Sequence, residues 1–329
     1  MALPPIATMN IKPNFALSAV SGIIHPTPWP NNNPLGPLAQ LVGPNGTGAV
    51  WKGKGFNQIW RPFHGSQDRF LELNETDETL TFEDIPGLVP NRGLLQGDMN
   101  LKAIRYLQQV DDAIVKVNGQ PAGLHIEPGL WLNVPPTTNP ADGGSVARMG
   151  SIPHGTTIIA QGSSTQPAAI AGPPPIAPTS IIPFVINQPN NHINFPEQNL
   201  GVPSAFRTPH ADIPNVTQAM VNNPNIVLVN ALAGHTVLST TTMIISTKAP
   251  VQPFNTPTTG GGTSNIAFIQ GAQGGPNAFV PQIDAIFWIE EVKLPTGAIQ
   301  WWLQYTQTVL LNFNGLSWPH VSVATLIRQ

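Results

Sequence analysis

The carboxyl-terminal stretch 298–329, AIQWWLQYTQTVLLNFNGLSWPHVSVATLIRQ, restricts the fold more than any other part of the chain. It predicts one strand over 299–311 and a second strand over 320–327. Asn314-Gly315 lies between them, and this dipeptide favours a tight hairpin turn because both residues tolerate positive φ. In the second strand, alternation places His320 on a face that it shares with small residues. That face has room for a bulky group beside the imidazole.

The rest of the chain carries short apolar runs that are separated by turn residues. Among the 329 residues are 37 prolines and 30 glycines, and runs of Val, Ile, Thr and Phe lie between them. Hydrophobic residues make up 41% of the chain, enough for a large core. Regularly punctuated short strands of this kind favour an all-β fold. We predict a closed antiparallel β-barrel with long loops and a large insertion.

Charge, hydropathy and cysteine content exclude several classes of function. The net charge is −3 and no Lys/Arg run is present, so nucleic acid and anionic membrane are poor partners. No apolar run is long enough to predict a membrane span. The first residues lack a basic start followed by an apolar core, so we expect no signal peptide and a cytoplasmic protein. The absence of cysteine removes disulfides, thiolate metal sites and thioether attachment of haem.

Composition changes along the chain predict four parts. Within the predicted insertion (172–285) we expect a short helix over 212–222, with Asp212 as its N-cap, and a strand over 226–232. The four predicted parts are an amino-terminal arm that wraps the barrel (1–50), the first part of the barrel (51–171), an insertion with a short helix and extra strands (172–285), and a closing hairpin (286–329).

Three segments together resemble the nitrobindin-like haem-binding β-barrels, which are relatives of the fatty-acid-binding-protein barrel. WKGKGFNQIW (51–60) is similar to that family's Trp-x-Gly-x-Gly-x-Tyr-Pro-Thr-Ile strand. LHIEPGLWLNV (124–134), followed by VARMGSIPHGTTIIAQG (146–162), is similar to its Leu-His-x-Glu-x-Gly strand and the next hairpin. The segment 303–329 resembles its closing hairpin, which ends in His-Leu-x-Ala-x-Leu-x-Arg.

The resemblance implies a haem site centred on His320. This residue matches the family's proximal iron ligand, and without cysteine the group would be haem b. A single axial histidine leaves the sixth iron position open, which implies peroxidase-like or peroxynitrite/NO-related oxidative chemistry. Trp51 and Phe56 in the first motif and Tyr305 in the third are the other expected contacts of the cofactor.

Four residues are candidates for the opposite face of the haem. Gln58 replaces the family's threonine and would hydrogen-bond a ligand on the iron. Arg61 and His64 follow it and would supply the charge and the base that peroxide cleavage favours. His154, at the tip of a predicted hairpin, would lie near the mouth of the barrel. Each of these residues would also be ordinary in a solvated loop or turn, with no role in binding.

The residues leave other functions open. His125 and Glu127 share a predicted strand face and suit either a proton relay or a structural pair. A haem-free, lipocalin-like barrel that binds or isomerises an apolar small molecule is one alternative. A capsid-like jelly-roll subunit is another. The expected partner is a small-molecule oxidant or an apolar substrate, and a homodimer is an assembly that the sequence allows.

Overall fold

The computed structural model describes residues 33–62, 69–92, 97–138, 141–165, 169–248, 260–265 and 278–329. The strands are β1 (Gly48–Pro62), β2 (Arg69–Asp84), β3 (Val89–Asn91), β4 (Met99–Val117), β5 (Gln120–Val134), β6 (Thr137–Thr138), β7 (Ala141–Asp142), β8 (Ser145–Ile152), β9 (Thr156–Ser164), β10 (Ile170–Ala171), β11 (Phe184–Val185), β12 (Gln188–His192), β13 (Thr236–Ser246), β14 (Gly260–Asn265), β15 (Phe279–Lys293), β16 (Ile299–Phe313) and β17 (Leu316–Arg328). Helices α1 (Gln218–Asn222) and α2 (Ile226–Ala231) and three 3₁₀ helices (Gly36–Val42, Pro196–Gln198 and His210–Asp212) complete the described elements.

Ten of these strands form a closed antiparallel barrel, as predicted. Their order around the ring is β1-β2-β4-β5-β8-β9-β13-β15-β16-β17, and β1 pairs with β17 to close it. The closing register pairs Trp51 with Arg328 and Gln58 with Val321. The first and third sequence motifs therefore lie side by side at the seam of the barrel.

The predicted closing hairpin is confirmed. Strands β16 and β17 pair from Trp302–Ile327 to Phe313–Leu316. Asn314 and Gly315 both have positive φ, at 49° and 75°, as their dipeptide predicts. Because side chains alternate across a strand, this register turns His320 toward the inside of the barrel.

An apolar core fills one end of the barrel interior. Inward-facing residues such as Trp131, Phe287 and Leu326 form it, and the 3₁₀ helix Gly36–Val42 packs against them. Leu38 in that helix is fully buried. The described part of the predicted arm therefore closes this end of the barrel.

A second apolar cluster lies outside the barrel wall. Phe56 and Trp60 of β1 point outward and pack against residues from 176–228, among them Ile181 and Leu228. Trp60 Nε1 donates to the carbonyl oxygen of Ile181 at 2.9 Å. The first half of the predicted insertion thus covers the outer wall. The predicted insertion (172–285) also contributes to the barrel itself, because β13 and the start of β15 lie within it and belong to the ring.

The helices differ from the prediction at two places. The segment 226–231 forms α2 and not a strand, because a short apolar run fits either structure and its packing decides between them. The N-cap of α1 is Thr217, whose side chain accepts from the backbone of Met220, and not Asp212. Among the described residues, no helix combines the length and the apolar character that crossing a membrane requires.

Candidate functional site

The barrel interior holds a cavity of about 490 Å³ on the side of the core away from the 3₁₀ helix Gly36–Val42. This volume lies within the range of roughly 300–1,000 Å³ that is common for small-molecule sites. Its apolar lining includes Ile59, Val110, Leu124, Ile152, Val280, Ile283, Val309 and Leu311. Its polar lining includes Asn57, Arg61, Glu72, Glu78, Gln108, His125, His154, Thr156, Tyr305, Gln307, His320 and Ser322.

His320 projects from β17 into this cavity. It lies deep in the barrel, and part of its surface is open to the cavity. Burial, followed by the charges of His125 and His154, lowers the pKa of His320 to about 3. The imidazole is therefore neutral at pH 7, the form that can ligate a metal or act as a base.

A chain of side-chain hydrogen bonds determines which nitrogen of His320 carries the proton. The carboxylate of Asp112 accepts from Asn74 Nδ2 at 2.9 Å. This orientation turns Asn74 Oδ1 toward Asn57 Nδ2, which donates to it at 3.3 Å. Asn57 Oδ1 then faces Nε2 of His320 at 2.5 Å. Because an amide oxygen only accepts, Nε2 carries the hydrogen and Nδ1 keeps the lone pair.

Polar side chains form the rim of the cavity. Arg61 Nε pairs with Glu72 Oε2 at 2.6 Å, and both side chains are partly exposed. His154 lies in the turn between β8 and β9, and its Nε2 is 3.1 Å from the carbonyl oxygen of Leu124. Its ring centre is 5.6 Å from that of His125. Burial lowers the pKa of His154, and the charge of His125 lowers it further, so the rim favours a neutral imidazole at this position.

An ion pair lies beneath the floor of the cavity. Arg148 Nη2 donates to Glu127 Oε1 at 2.7 Å, and the hydroxyl of Tyr106 donates to the same oxygen. Both charged side chains are buried, at 2% and 0% exposure. Burial alone would raise the pKa of Glu127, but the guanidinium of Arg148 overcomes it and holds the pKa at about 2. The second oxygen of Glu127 is 3.3 Å from Nε2 of His125, so the two predicted partners do lie together.

A second carboxyl group, Glu78 on β2, lines the cavity itself. Its Oε2 accepts from the hydroxyl of Tyr305 at 2.6 Å, and its Oε1 accepts from the hydroxyl of Thr76 at 2.9 Å. Gln108 Nε2 donates to the Tyr305 oxygen at 3.0 Å. Burial raises the pKa of Glu78, and these hydrogen bonds oppose the rise. The environments of the two buried carboxyl groups thus push their pKa values apart, a pattern that is common at acid–base sites.

Strand glycines make room for these carboxyl groups. A Cβ atom on Gly55 would lie 2.6 Å from Thr76 Oγ1 and 2.7 Å from Glu78 Oε1. A Cβ atom on Gly150 would lie 2.6 Å from the hydroxyl of Tyr106. These separations are too short for a side chain, so the polar layer depends on glycine at both positions.

The structure brings four of the predicted site residues to one cavity. His320 lies in its wall and Tyr305 in its floor, and Arg61 and His154 lie at its rim. His64 lies outside the described residues. The predicted roles of these residues remain predictions, since their positions alone do not identify a ligand.

The other three predicted residues lie elsewhere. Trp51 points into the barrel but belongs to the apolar core. Phe56 and Gln58 point outward, and Gln58 Nε2 donates to the carbonyl oxygen of Met220 at 2.9 Å. The intervening Asn57 takes the inward position because side chains alternate along β1. A group bound in the cavity is therefore separated by the barrel wall from Phe56 and Gln58.

Three residues of the site were not singled out from the sequence: Asn57, Arg148 and Glu78. Glu78 lies in the middle of β2, which is continuous from Arg69 to Asp84. A usable signal was present, since Glu78 is an even number of residues from Leu80 and therefore shares its inward face. No comparable signal marks Arg148, whose partners come from other strands.

The described residues contain no group of three or more His, Cys, Asp or Glu side chains that would hold a metal ion. This finding concerns ions bound by several side chains. A haem iron needs one axial imidazole and is not tested by it.

Comparisons with known proteins do not identify a family. No family model matches the chain, and no curated protein matches it. A solved structure, that of Rv2717c from M. tuberculosis, is similar to this chain with 15% sequence identity and a TM-score of 0.38. The similarity covers 90% of this chain and 97% of the other. A likeness at this level identifies neither a family nor a ligand.

Proposed function

We propose that this protein binds haem b inside the barrel, with His320 as the iron ligand. One observation carries the proposal: a neutral imidazole faces a cavity of about 490 Å³ whose exposed surface is mostly apolar. The resemblance of the three sequence motifs to nitrobindin-like barrels supports it. When bound, the haem would supply an iron position open to a small ligand such as NO or peroxide.

The residues around the cavity fit such a group. His320 supplies the imidazole, and side chains such as Val110 and Ile283 supply apolar surface for the porphyrin. Arg61, at the rim, is paired with Glu72 and would have to turn from it to supply a positive charge for the haem carboxylates. Coordination through Nε2 of His320 needs the lone pair on that nitrogen, so its hydrogen would move to Nδ1 and the amide of Asn57 would turn away.

A titration with haemin tests this proposal. We expect a Soret band to appear with one equivalent bound per chain in the unmodified protein, and we expect His320→Ala to lose it. His192→Ala is the matched control, because His192 is exposed on β12 outside the cavity. Absence of haemin binding by the unmodified protein, or an unchanged band in His320→Ala, would overturn the proposal.

A second candidate is a haem-free barrel that carries or isomerises an apolar small molecule. The chain from Asp112 to His320 favours it, since it gives Nε2 of His320 a partner within the protein. Native mass spectrometry of the purified protein separates the two candidates. A bound organic mass without iron supports the haem-free barrel, and a mass increase of one haem excludes it.

A further inference from the structure

The floor of the cavity contains a polar layer that stability alone does not explain. Glu127 and Arg148 are buried charges, and Glu78 and Tyr305 are buried beside them at 5% and 2% exposure. A buried ion pair contributes little net stability, because its attraction only offsets the loss of hydration. Apolar side chains like those of the core below would pack this layer equally well. The polar layer therefore points to a ligand.

The hydrogens of Glu78 and Tyr305 show what this ligand needs. When the carboxyl group of Glu78 is protonated, Glu78 and Tyr305 together carry two hydrogens on their side-chain oxygens. One of these hydrogens joins Glu78 Oε2 to the Tyr305 oxygen. Gln108 Nε2 only donates, so it cannot take up the second hydrogen. The hydroxyl of Thr76 can accept that hydrogen when Glu78 Oε1 carries it, but when Tyr305 carries it no acceptor lies among the described residues. Glu78 and Tyr305 both line the cavity. A buried donor without an acceptor is costly, and an acceptor in the cavity removes that cost.

We propose that Glu78 and Tyr305 form a recognition site for an uncharged oxygen acceptor, such as a ketone or ester carbonyl, at the end of an apolar ligand. The inference rests on the proposed function in so far as the cavity takes an apolar ligand. Its apolar walls would hold the body of the molecule, and the floor would hold the carbonyl oxygen. An anionic group at this floor is disfavoured, because Glu127 already neutralises the guanidinium of Arg148.

Several titratable groups surround the pair and enter its pH dependence. His125 on β5 acts on Glu78 through its charge. His320 on β17 lines the same cavity. Arg148 on β8 reaches the pair through Gln108, to which its Nη2 donates at 3.4 Å. Ionisation of Glu78 removes one hydrogen from Glu78 and Tyr305, so the hydrogen that would be donated to the ligand's oxygen is lost as pH rises.

Three aromatic probes with the same number of non-hydrogen atoms test the site: 2-acetylnaphthalene, the hydrocarbon 2-isopropenylnaphthalene and 2-naphthoate. Their dissociation constants are measured by calorimetry across the pH range. At acidic pH we expect the ketone to bind about tenfold more tightly than the hydrocarbon, the effect of one net hydrogen bond. This preference should fall as pH rises. The amide in Glu78→Gln keeps a hydrogen-bond donor at every pH. We therefore expect this variant to prefer the ketone over the hydrocarbon equally at all pH values.

Two further variants complete the experiment. Tyr305→Phe should lose the preference for the ketone and keep the affinity for the hydrocarbon. Glu83→Gln is the matched control, because Glu83 is an exposed carboxylate on the same strand as Glu78. Equal affinities for the ketone and the hydrocarbon, tightest binding of the naphthoate, or an unchanged pH dependence in Glu78→Gln would each overturn the inference and leave an apolar ligand site standing. If no probe binds, the apolar cavity ligand itself is refuted.

Discussion

Nε2 of His320 and Oδ1 of Asn57 lie 2.5 Å apart across the seam where β17 meets β1. Asn57 also accepts from the hydroxyl of Ser322 at 2.8 Å, so two donors converge on its oxygen. Asn74 anchors the other end of the same amide. The seam of the barrel thus holds the imidazole in one tautomer and one orientation.

The first prediction concerns that tautomer. We expect long-range ¹H–¹⁵N spectra to show His320 protonated at Nε2, with no titration between about pH 5 and 8, since its pKa is about 3. Assignment uses the spectrum of His320→Gln. A hydrogen on Nδ1, or a midpoint within that pH range, would contradict the hydrogen-bond chain.

The second prediction concerns haemin affinity. Asn57→Ala removes the partner of His320 Nε2, so coordination no longer has to break that hydrogen bond. We expect the dissociation constant for haemin to fall by about tenfold, measured by absorbance titration. Asn191→Ala, at an exposed position of β12, should leave it unchanged. Weaker binding by Asn57→Ala would mean that the amide supports the bound state.

The third prediction concerns the buried ion pair. Arg148→Met leaves the carboxylate of Glu127 buried without its main counter-charge, and we expect a loss of about 3–5 kcal/mol in the free energy of unfolding. Urea denaturation measures it. Arg105→Met removes an exposed pair with Glu83 and should cost less than about 1 kcal/mol. Similar losses in both variants would refute the role assigned to burial.

The same pair predicts an acid dependence with a definite sign. The pKa of Glu127 is lowered from 4.5 to about 2, so the pair contributes stability above pH 4.5 that is lost as pH falls toward 2. In Arg148→Met, we expect burial to outweigh the remaining hydrogen bonds of Glu127 with Tyr106 and His125 and to raise its pKa, so stability should rise on acidification. Thermal unfolding at a series of acidic pH values checks this difference in slope.

The fourth prediction concerns Glu290, which is buried on the outer wall. Neither of its oxygens has a hydrogen-bond partner among the described residues, and burial raises its pKa to about 8. The unfolded state ionises above pH 4.5, so stability falls as pH rises from there to about 8. We expect Glu290→Gln to flatten this fall. Glu291→Gln is the control and should retain it.

The fifth prediction concerns Gly150. A Cβ atom there would meet the hydroxyl of Tyr106 and the carboxylate of Glu127. We expect Gly150→Ala to lower the free energy of unfolding by about 1–3 kcal/mol through overpacking. Gly97→Ala faces open space and should change it little. An unchanged stability in Gly150→Ala would show that the polar layer can shift.

The sequence by itself determined the class of fold and the strand face that His320 shares with Ser322, Ala324 and Leu326. Both follow from local physics: period-two alternation assigns faces, and the Asn314-Gly315 turn sets the register of the last hairpin. The same parity applies to β1, where it turns Asn57 inward and Gln58 outward. Motif matching alone assigned Gln58 to the site, whereas the alternation of the strand assigns Asn57.

Only the tertiary structure decided which polar groups meet. The chain from Asp112 to His320 joins side chains of β4, β2, β1 and β17, and its geometry depends on strand order and register around the closed ring. The pairing of Arg148 with Glu127 has the same origin. Segment 226–231 became a helix because its packing on the outer wall outweighed a weak local preference. Contacts between strands that are distant in sequence have no local signature, and these contacts determine the chemistry of the cavity.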